Sequence, residues 1–201
     1  MRAYLKIVLS FIFLLSNNVN ANEVNNWLQI EIDKILNAYK DTGISNSSRF
    51  SLVEETVNNN FAGAGIAKFA AGESWGNASK KTKKEYINLF KRHLALSVAS
   101  LMQGYSNQEY KLLNTEYDNQ NNVNMIDMKI INESGNILIT WRVKKSKEKF
   151  YIIDLLVADI SLVVTKRSEF NSMLKKSNYD LDKFNEILNS QNELSYNKLI
   201  E

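Results

Sequence analysis

The chain of 201 residues contains no cysteine, no proline and a single histidine, His93. The lack of cysteine excludes disulfide bonds and metal sites built from thiolates. The lack of proline means that no helix in this chain is stopped by that residue. A catalytic histidine needs a carboxylate and a nucleophile around it, and neither can be located from the sequence. A partly exposed structural role is therefore the preferred interpretation of His93.

Size and composition predict one folded domain. A chain of 201 residues suggests a single domain after any processing, and it is long enough to bury a core without covalent cross-links. The hydrophobic fraction of 44% is ordinary for globular proteins. It argues against disorder and against a protein that crosses a membrane several times.

The first residues have the layout of a secretory signal peptide. Arg2 and Lys6 precede an apolar run over Ile7–Leu15, and compact side chains at Val19 and Ala21 fit cleavage after Ala21. The run is shorter than the about 20 residues that span a bilayer, although an uncleaved anchor helix is the alternative. We expect residues 1–21 to be a signal peptide and residues 22–201 to form a single domain outside the cytoplasm.

Without the two cationic residues of that peptide, the chain carries almost no net charge. The whole sequence has 25 lysines and arginines against 22 aspartates and glutamates, so removing Arg2 and Lys6 leaves the two signs nearly equal. This balance gives no electrostatic argument for nucleic acid as a partner.

Apolar spacing predicts four helices in the first half of the domain. We expect them over Val24–Lys40, over Arg49–Asn60, in a segment of small residues that ends at Gly72, and over Ser79–Tyr105. The pair Gly63 and Gly65 does not make a dinucleotide-binding loop. Lys68 stands where the third glycine would be needed, and no apolar strand precedes the pair.

The longest predicted helix, Ser79–Tyr105, has an unusually wide apolar surface. Its main stripe consists of Tyr86, Phe90, Leu94, Val98 and Leu101. From Leu94 to Met102 the apolar residues occupy most sides, which is typical of a helix buried on most sides. The helix is thus either a central support of the core or one wall of a cavity.

The second half of the domain predicts an antiparallel sheet. Strands are expected over Glu109–Tyr117, Val123–Ile131, Ile137–Lys144 and Lys149–Val157, and their short connections favour a meander of about four strands. A helix capped by Ser161 follows, then a last helix over Asp180–Leu188 and a frayed polar tail from about residue 191. This order predicts an α+β fold with helices wrapped on a curved sheet, enclosing a deep apolar cavity.

A spaced set of residues links the helices, the last strand and the helix after it. Its members are Phe61, Ile66, Ala67, Gly72, Trp75, Ala78, Ser79, Tyr86, Phe90, Phe150, Ile152, Asp154, Leu155, Val157, Ile160, Ser161, Leu162, Val163, Arg167, Phe170 and Leu174. In order and spacing this set resembles the MlaC family, also called the toluene-tolerance auxiliary family, over roughly residues 25–190. Ala62 and Gly63 depart from the acidic and apolar residues usual there, which puts the lipid preference in question more than the fold.

The resemblance implies a periplasmic phospholipid-binding protein of a Gram-negative ABC transport system that maintains outer-membrane lipid asymmetry. It implies a fold of the nuclear-transport-factor or cystatin type, with acyl chains inside a cavity and the headgroup outside. It also implies a carrier, monomeric and without catalytic activity or cofactor. Such a carrier exchanges lipid with an outer-membrane lipoprotein–porin complex and an inner-membrane ABC transporter bearing an MCE-domain subunit.

A lipid cavity must be deep for an energetic reason. Each buried CH₂ group is worth about 0.8 kcal/mol, so two acyl chains of about 15 carbons would lose more than about 20 kcal/mol in water. A continuous apolar wall is therefore expected, although each of its residues could equally fill a solid core. The expected wall residues are Phe90, Leu94, Val98, Leu101, Ile139, Trp141, Ile152, Leu155 and Val163.

Two charged residues in the set, Asp154 and Arg167, allow two interpretations. Arg167 could contact a lipid phosphate, or the two residues could be structural, with Asp154 paired to Arg142 or to Arg167. We favour the structural charge pair, because charge pairs often serve structure alone.

Two alternatives to a carrier stay open. An enzyme on the same cone-shaped fold would need a carboxylate or histidine in the cavity, and the candidates are His93, Asp127 and Asp154. An exported interaction module would have a solid core and no pocket. No metal site is expected for any of the three functions.

Overall fold

The computed structural model describes residues 2–105, 107–131 and 135–201, with side chains from residue 21 onward. Within these ranges the elements run in the order α1 (Arg2–Lys40), α2 (Asn46–Asn60), α3 (Gly63–Ala71), α4 (Ser74–Asn77), α5 (Lys80–Met102), β1 (Glu109–Asp118), β2 (Val123–Ile131), β3 (Ile137–Ser146), β4 (Lys149–Val157), β5 (Ile160–Ser161), α6 (Leu162–Lys176) and α7 (Leu181–Ile200). The predicted α+β order is confirmed.

The strands form one antiparallel sheet in the order β1-β2-β3-β4-β5. The predicted meander is present, and it has five strands rather than about four. The additional strand is only two residues long and pairs with the end of β4. The sequence pattern hid it because a two-residue strand has no measurable period. A bulge between Arg142 and Val143 shifts the register of β3 and β4.

Serine side chains cap the N-termini of α5 and α6. Ser79 Oγ accepts the Thr82 N–H at 3.1 Å, which fixes the start of α5. Ser161 Oγ accepts the Val164 N–H at 3.1 Å, as predicted for α6. Capping of this kind satisfies amide groups that the first helical turn leaves without partners.

The predicted frayed tail is wrong. Helix α7 does not end at Leu188 but continues to Ile200. Asn192 is fully buried, and its side-chain amide donates to the Leu89 carbonyl at 2.9 Å, while Leu199 is 6% exposed. The tail looked polar because a buried asparagine occupies a position where the helical period calls for an apolar residue.

The interior consists of three apolar clusters. The aromatic cluster joins α3, α5, α6 and α7 around Tyr86, Phe90, Phe170 and Phe184. The sheet cluster packs α1 against β2, β3 and β4. The helix cluster joins α2, α5 and α7. Phe61, in the connection between α2 and α3, packs against all three.

Helix α1 contains the predicted helix Val24–Lys40, and its apolar face lies on the sheet through Val24, Leu28 and Ile32. Its first half includes the predicted signal peptide, whose side chains and first residue lie outside the described part of the chain. The signal peptide therefore stays a prediction. Among the described helices, none combines the length and apolar character needed to cross a membrane.

Candidate functional site

Asp154 holds together the end of the sheet and the start of α6. Its Oδ1 accepts the N–H groups of Leu155 at 2.8 Å and Val163 at 3.2 Å, and its Oδ2 accepts the Ser161 hydroxyl at 2.7 Å. The Arg142 guanidinium lies 3.6 Å from the same Oδ2. The carboxylate is 5% exposed, so it is buried with its hydrogen-bonding capacity used. This role is structural.

Of the two pairings predicted for Asp154, the one with Arg142 is formed, and the one with Arg167 is not formed within the described residues. Asp154 pairs with Arg142, because these two residues are directly opposite in the β3–β4 ladder. Arg167 points to α3 instead, where it donates to the Phe69 carbonyl at 3.1 Å and stacks 4.4 Å from the Phe69 ring. It lines a shallow pocket of about 410 Å³ with Gly65, Lys68, Phe69, Gly72 and Glu73.

A larger open pocket, called the groove below, lies where the helices meet the sheet. Its volume is about 490 Å³, within the about 300–1,000 Å³ of typical ligand pockets. The helical side of its wall comes from the α2–α3 region and α5, and the sheet side comes from β3 and β4. The lining residues are Asn58, Phe61, Ala62, Gly63, Ala64, Gly65, Ile87, Lys91, Lys144, Ser146, Tyr151 and Ile153.

The Phe61 segment of the groove wall is attached to the edge of β4. Phe61 forms a parallel bridge with Ile152, and the Ala62 N–H donates to the Ile152 carbonyl at 2.9 Å. The half-buried Phe61 ring thus sits at the boundary between sheet and helices. Because it touches all three clusters, the groove leads to the point where they meet.

The expected wall residues are divided among the three clusters. Phe90 is buried in the aromatic cluster, and Val163 is half-buried against it. The members on strands, namely Ile139, Trp141, Ile152 and Leu155, belong to the sheet cluster. Leu94 and Val98 pack half-buried on the helix cluster. None of these residues is among those lining the two described pockets.

Leu101 does not fit the predicted wall, because its side chain is 67% exposed. Ala95, Leu96 and Ala99 turn inward at this end of α5 instead. The stripe Tyr86–Phe90–Leu94–Val98 advances by four residues at each step, slightly more than one helical turn. The stripe therefore shifts gradually around the helix axis. Ala95, Leu96 and Ala99 complete the buried face at this end.

Sequence reasoning singled out Phe61, Ala62 and Gly63 but missed the groove-lining residues on α5, β3 and β4. Ile87 and Lys91 are each one position after a buried aromatic of α5, and Tyr151 and Ile153 fall between the buried residues of β4. Half-buried positions of this kind look like an ordinary surface in the sequence. The sequence feature that could have identified them is the second apolar face of β4. Tyr151 and Ile153 are two positions apart on this strand, so their side chains lie on the same face of the sheet.

The three candidate catalytic residues are separately engaged. His93 Nδ1 lies 3.2 Å from Asn192 Oδ1, and Asp127 Oδ1 accepts the Thr140 hydroxyl at 2.7 Å. Burial lowers the pKa of His93, with a smaller contribution from the charge of Lys166. Neither these two nor Asp154 is among the groove-lining residues. In the part of the chain that the structure describes, no group of three or more His, Asp or Glu residues is placed to hold a metal.

Comparison with protein families adds to this geometry. The family model described as MlaC protein matches residues 29–190 of the chain. The chain belongs to the MlaC family. The match runs from α1 into α7, so it includes every element around the groove, and it confirms the resemblance carried by the spaced residues.

A solved structure provides a second comparison. The phospholipid-binding protein from Ralstonia solanacearum, solved in complex with a phospholipid, superposes with a TM-score of 0.71 at 17% sequence identity. The alignment covers 84% of this chain and 96% of that one, which confirms the fold over nearly the whole relative. Comparison with curated protein sequences gave no match.

Proposed function

We propose that the protein is a periplasmic lipid carrier that holds phospholipid acyl chains between its helices and its sheet. Membership of the MlaC family and the phospholipid bound to the Ralstonia protein of the same fold support this proposal. The observation that carries it is the position of Phe61, which lines an open groove and contacts all three clusters.

The groove is the entrance to the acyl-chain site. A volume of about 490 Å³ accommodates a drug-sized molecule, whereas two long acyl chains need most of their CH₂ groups buried at about 0.8 kcal/mol each. The chains therefore continue past Phe61 and separate the clusters. The half-buried members of the expected wall are the ones that this opening would place against lipid, namely Leu94, Val98, Trp141, Leu155 and Val163.

The carrier exchanges lipid with two membrane complexes. By analogy with the family, these are an outer-membrane lipoprotein–porin complex and an inner-membrane ABC transporter with an MCE-domain subunit. The predicted signal peptide supports a periplasmic location, and the proposed carrier acts as a monomer without catalysis or a cofactor. The groove itself is an argument against a module without a pocket.

Lipid extraction and uptake test the proposal. The exported protein is purified, extracted with organic solvent and analysed by mass spectrometry, and its lipid-free form is mixed with fluorescent phospholipid vesicles. We expect co-purified phospholipid and uptake from vesicles. The absence of both would overturn the proposal.

A photo-crosslinking residue locates the bound chain. Placed at Phe61, it should capture phospholipid, whereas the same residue at Tyr179, which is 45% exposed on the α6–α7 connection, should not. Leu101→Glu provides a further control, because a charged residue at this exposed position should leave lipid retention unchanged. Equal capture at positions 61 and 179 would contradict the proposed entrance.

A further inference from the structure

The groove carries positive charge on both walls. Lys91 projects from α5 and Lys144 from β3, and the lining includes no carboxylate. Neighbouring cations are neutralised, since Arg92 pairs with Glu54 and Lys145 with Glu23. Among the ion pairs of the described residues, none includes Lys91 or Lys144. Two unneutralised amines at one opening favour an anionic ligand.

The lining of the groove also contains apolar side chains. Ser146 and Tyr151, which carry hydroxyl groups, line the groove together with the two lysines, and Phe61, Ile87 and Ile153 supply apolar surface. Helix α3 begins at the same place, and Ala62, its N-cap residue, has no side-chain acceptor for the first amides. Hydrogen-bond donors beside an apolar path match an amphiphile whose polar end is an anion rather than a free inorganic ion.

Gly63 determines where Lys91 lies. A Cβ atom at position 63 would lie 2.7 Å from Lys91 Cε and 2.8 Å from its Cγ, so the aliphatic part of the lysine occupies the space of the missing side chain. The contact with Lys91 therefore gives a packing reason for glycine at position 63.

We propose that Lys91 and Lys144 form a phosphate site at the entrance of the groove, and that this site holds the phosphodiester of the phospholipid while the acyl chains pass Phe61. The inference rests on the proposed carrier function and adds to it the recognised group and the residues that bind it. The same chemistry would also bind free phosphate, and the experiment separates these two sources.

The test compares a phospholipid with the same lipid lacking its phosphate. Lipid-free protein is titrated with phosphatidylglycerol and with diacylglycerol of identical acyl chains, for the wild type, Lys91→Gln, Lys144→Gln and the double variant. We expect each substitution to weaken phosphatidylglycerol binding about tenfold, which corresponds to about 1.4 kcal/mol, because it removes a charge-assisted hydrogen bond to the phosphate. Diacylglycerol affinity should stay within about twofold of the wild type.

Matched controls use exposed lysines elsewhere on comparable elements. Lys81→Gln removes a charge from α5, and Lys111→Gln removes one from the edge strand β1. Both should bind phosphatidylglycerol like the wild type. Equal losses in these controls would indicate a nonspecific charge effect and overturn the proposal.

Gly63→Ala tests the same site without removing a charge. The added methyl group must displace the Lys91 stem, so phosphatidylglycerol should bind severalfold more weakly, with diacylglycerol unchanged and a melting temperature that is not lowered. If both lipids weaken equally, the methyl group obstructs the groove and the result counts against the proposal. If this variant does not fold, the two lysine variants still decide the question.

Two further outcomes keep this proposal distinct from the carrier function. If the wild type binds neither lipid, the carrier function fails, whereas wild-type binding that the lysine variants leave intact overturns only the phosphate site. Titration with inorganic phosphate alone tests whether the site binds the free ion instead. Tight phosphate binding that depends on both lysines, together with unaltered phosphatidylglycerol affinity, would assign the site to the free ion and contradict the headgroup assignment.

Discussion

The aromatic cluster and the groove share one helix but differ in almost every physical property. Tyr86 and Phe90 of α5 enter the cluster with at most 1% exposure, whereas Ile87 and Lys91, each one residue later, line the groove. The cluster rings contact one another at centroid distances of 5.2 to 6.5 Å. The groove is open, mixed in polarity and bordered by cations.

This difference teaches how one small domain can be both stable and able to open. Interlocked rings in a fully buried cluster resist rearrangement, because any displacement loses many contacts at once. Half-buried residues at the boundary of three clusters have fewer contacts to lose. We therefore expect stability to depend on the aromatic cluster and ligand binding to depend on the groove, and four substitutions test that division.

The largest effect is expected for Phe170→Ala. This ring contacts Tyr86, Phe90, His93 and Phe184, and its removal should lower the free energy of unfolding by about 3–5 kcal/mol. Denaturant unfolding followed by circular dichroism measures the loss. A decrease below about 1 kcal/mol would mean that the cluster is not the main stabilising unit.

Asp154→Ala should have the next largest effect. The substitution leaves the Ser161 hydroxyl and two backbone amides without their acceptor, which should cost about 2–3 kcal/mol. Asp154→Asn is the matched control, because it keeps the shape and one acceptor oxygen and should lose less. If alanine and asparagine were equally well tolerated, Asp154 would not connect the sheet to α6 as described.

Phe61→Ala should separate stability from binding. The ring is only half-buried, so we expect a loss of about 1–2 kcal/mol, less than at Phe170. Lipid uptake and release should both become severalfold faster, because the proposed path of the acyl chains passes this ring. Stopped-flow transfer from fluorescent vesicles measures these rates. A stability loss as large as that of Phe170→Ala, together with unchanged lipid transfer rates, would contradict the division of roles between the aromatic cluster and the groove.

The smallest effect is expected for the pH dependence of stability that His93 causes. Burial, and secondarily the charge of Lys166, lower the pKa of His93 in the folded protein below the ordinary value of 6.5. Between the lowered folded pKa and 6.5, the unfolded chain binds more protons, so stability should fall as the pH drops through this window. His93→Gln should flatten that part of the curve in unfolding measured at several pH values. An unchanged slope in the variant would exclude His93 as the cause.

Sequence patterns predicted the elements well wherever a buried face has a regular period. The capped start of α6 at Ser161 and the bounds of β2 and β4 are examples. The prediction failed for the end of α7, because the buried Asn192 breaks the apolar period while its hydrogen bond stabilises the helix. A buried polar residue with a distant partner cannot be recognised from its neighbours in sequence.

The candidate site was harder to predict than the fold. Asp154 had two possible arginine partners, and the pairing with Arg142 follows from the β3–β4 register, which a bulge determines. The contact between Gly63 and Lys91 joins residues 28 positions apart on different helices. Neither the sequence around Gly63 nor the sequence around Lys91 predicts this contact. Apolar spacing identifies what is buried, but the division between core and groove depends on how elements pack together.

The two outer strands of the sheet are protected from other chains in different ways. At one edge, β1 carries Glu109, Lys111 and Glu116 and an irregular register after Leu112, features that discourage a second copy from adding a strand. At the other edge, the Phe61 segment covers β4 near Ile152, and β5 covers its end. Phe61, a lining residue of the groove, therefore also covers part of an open sheet edge.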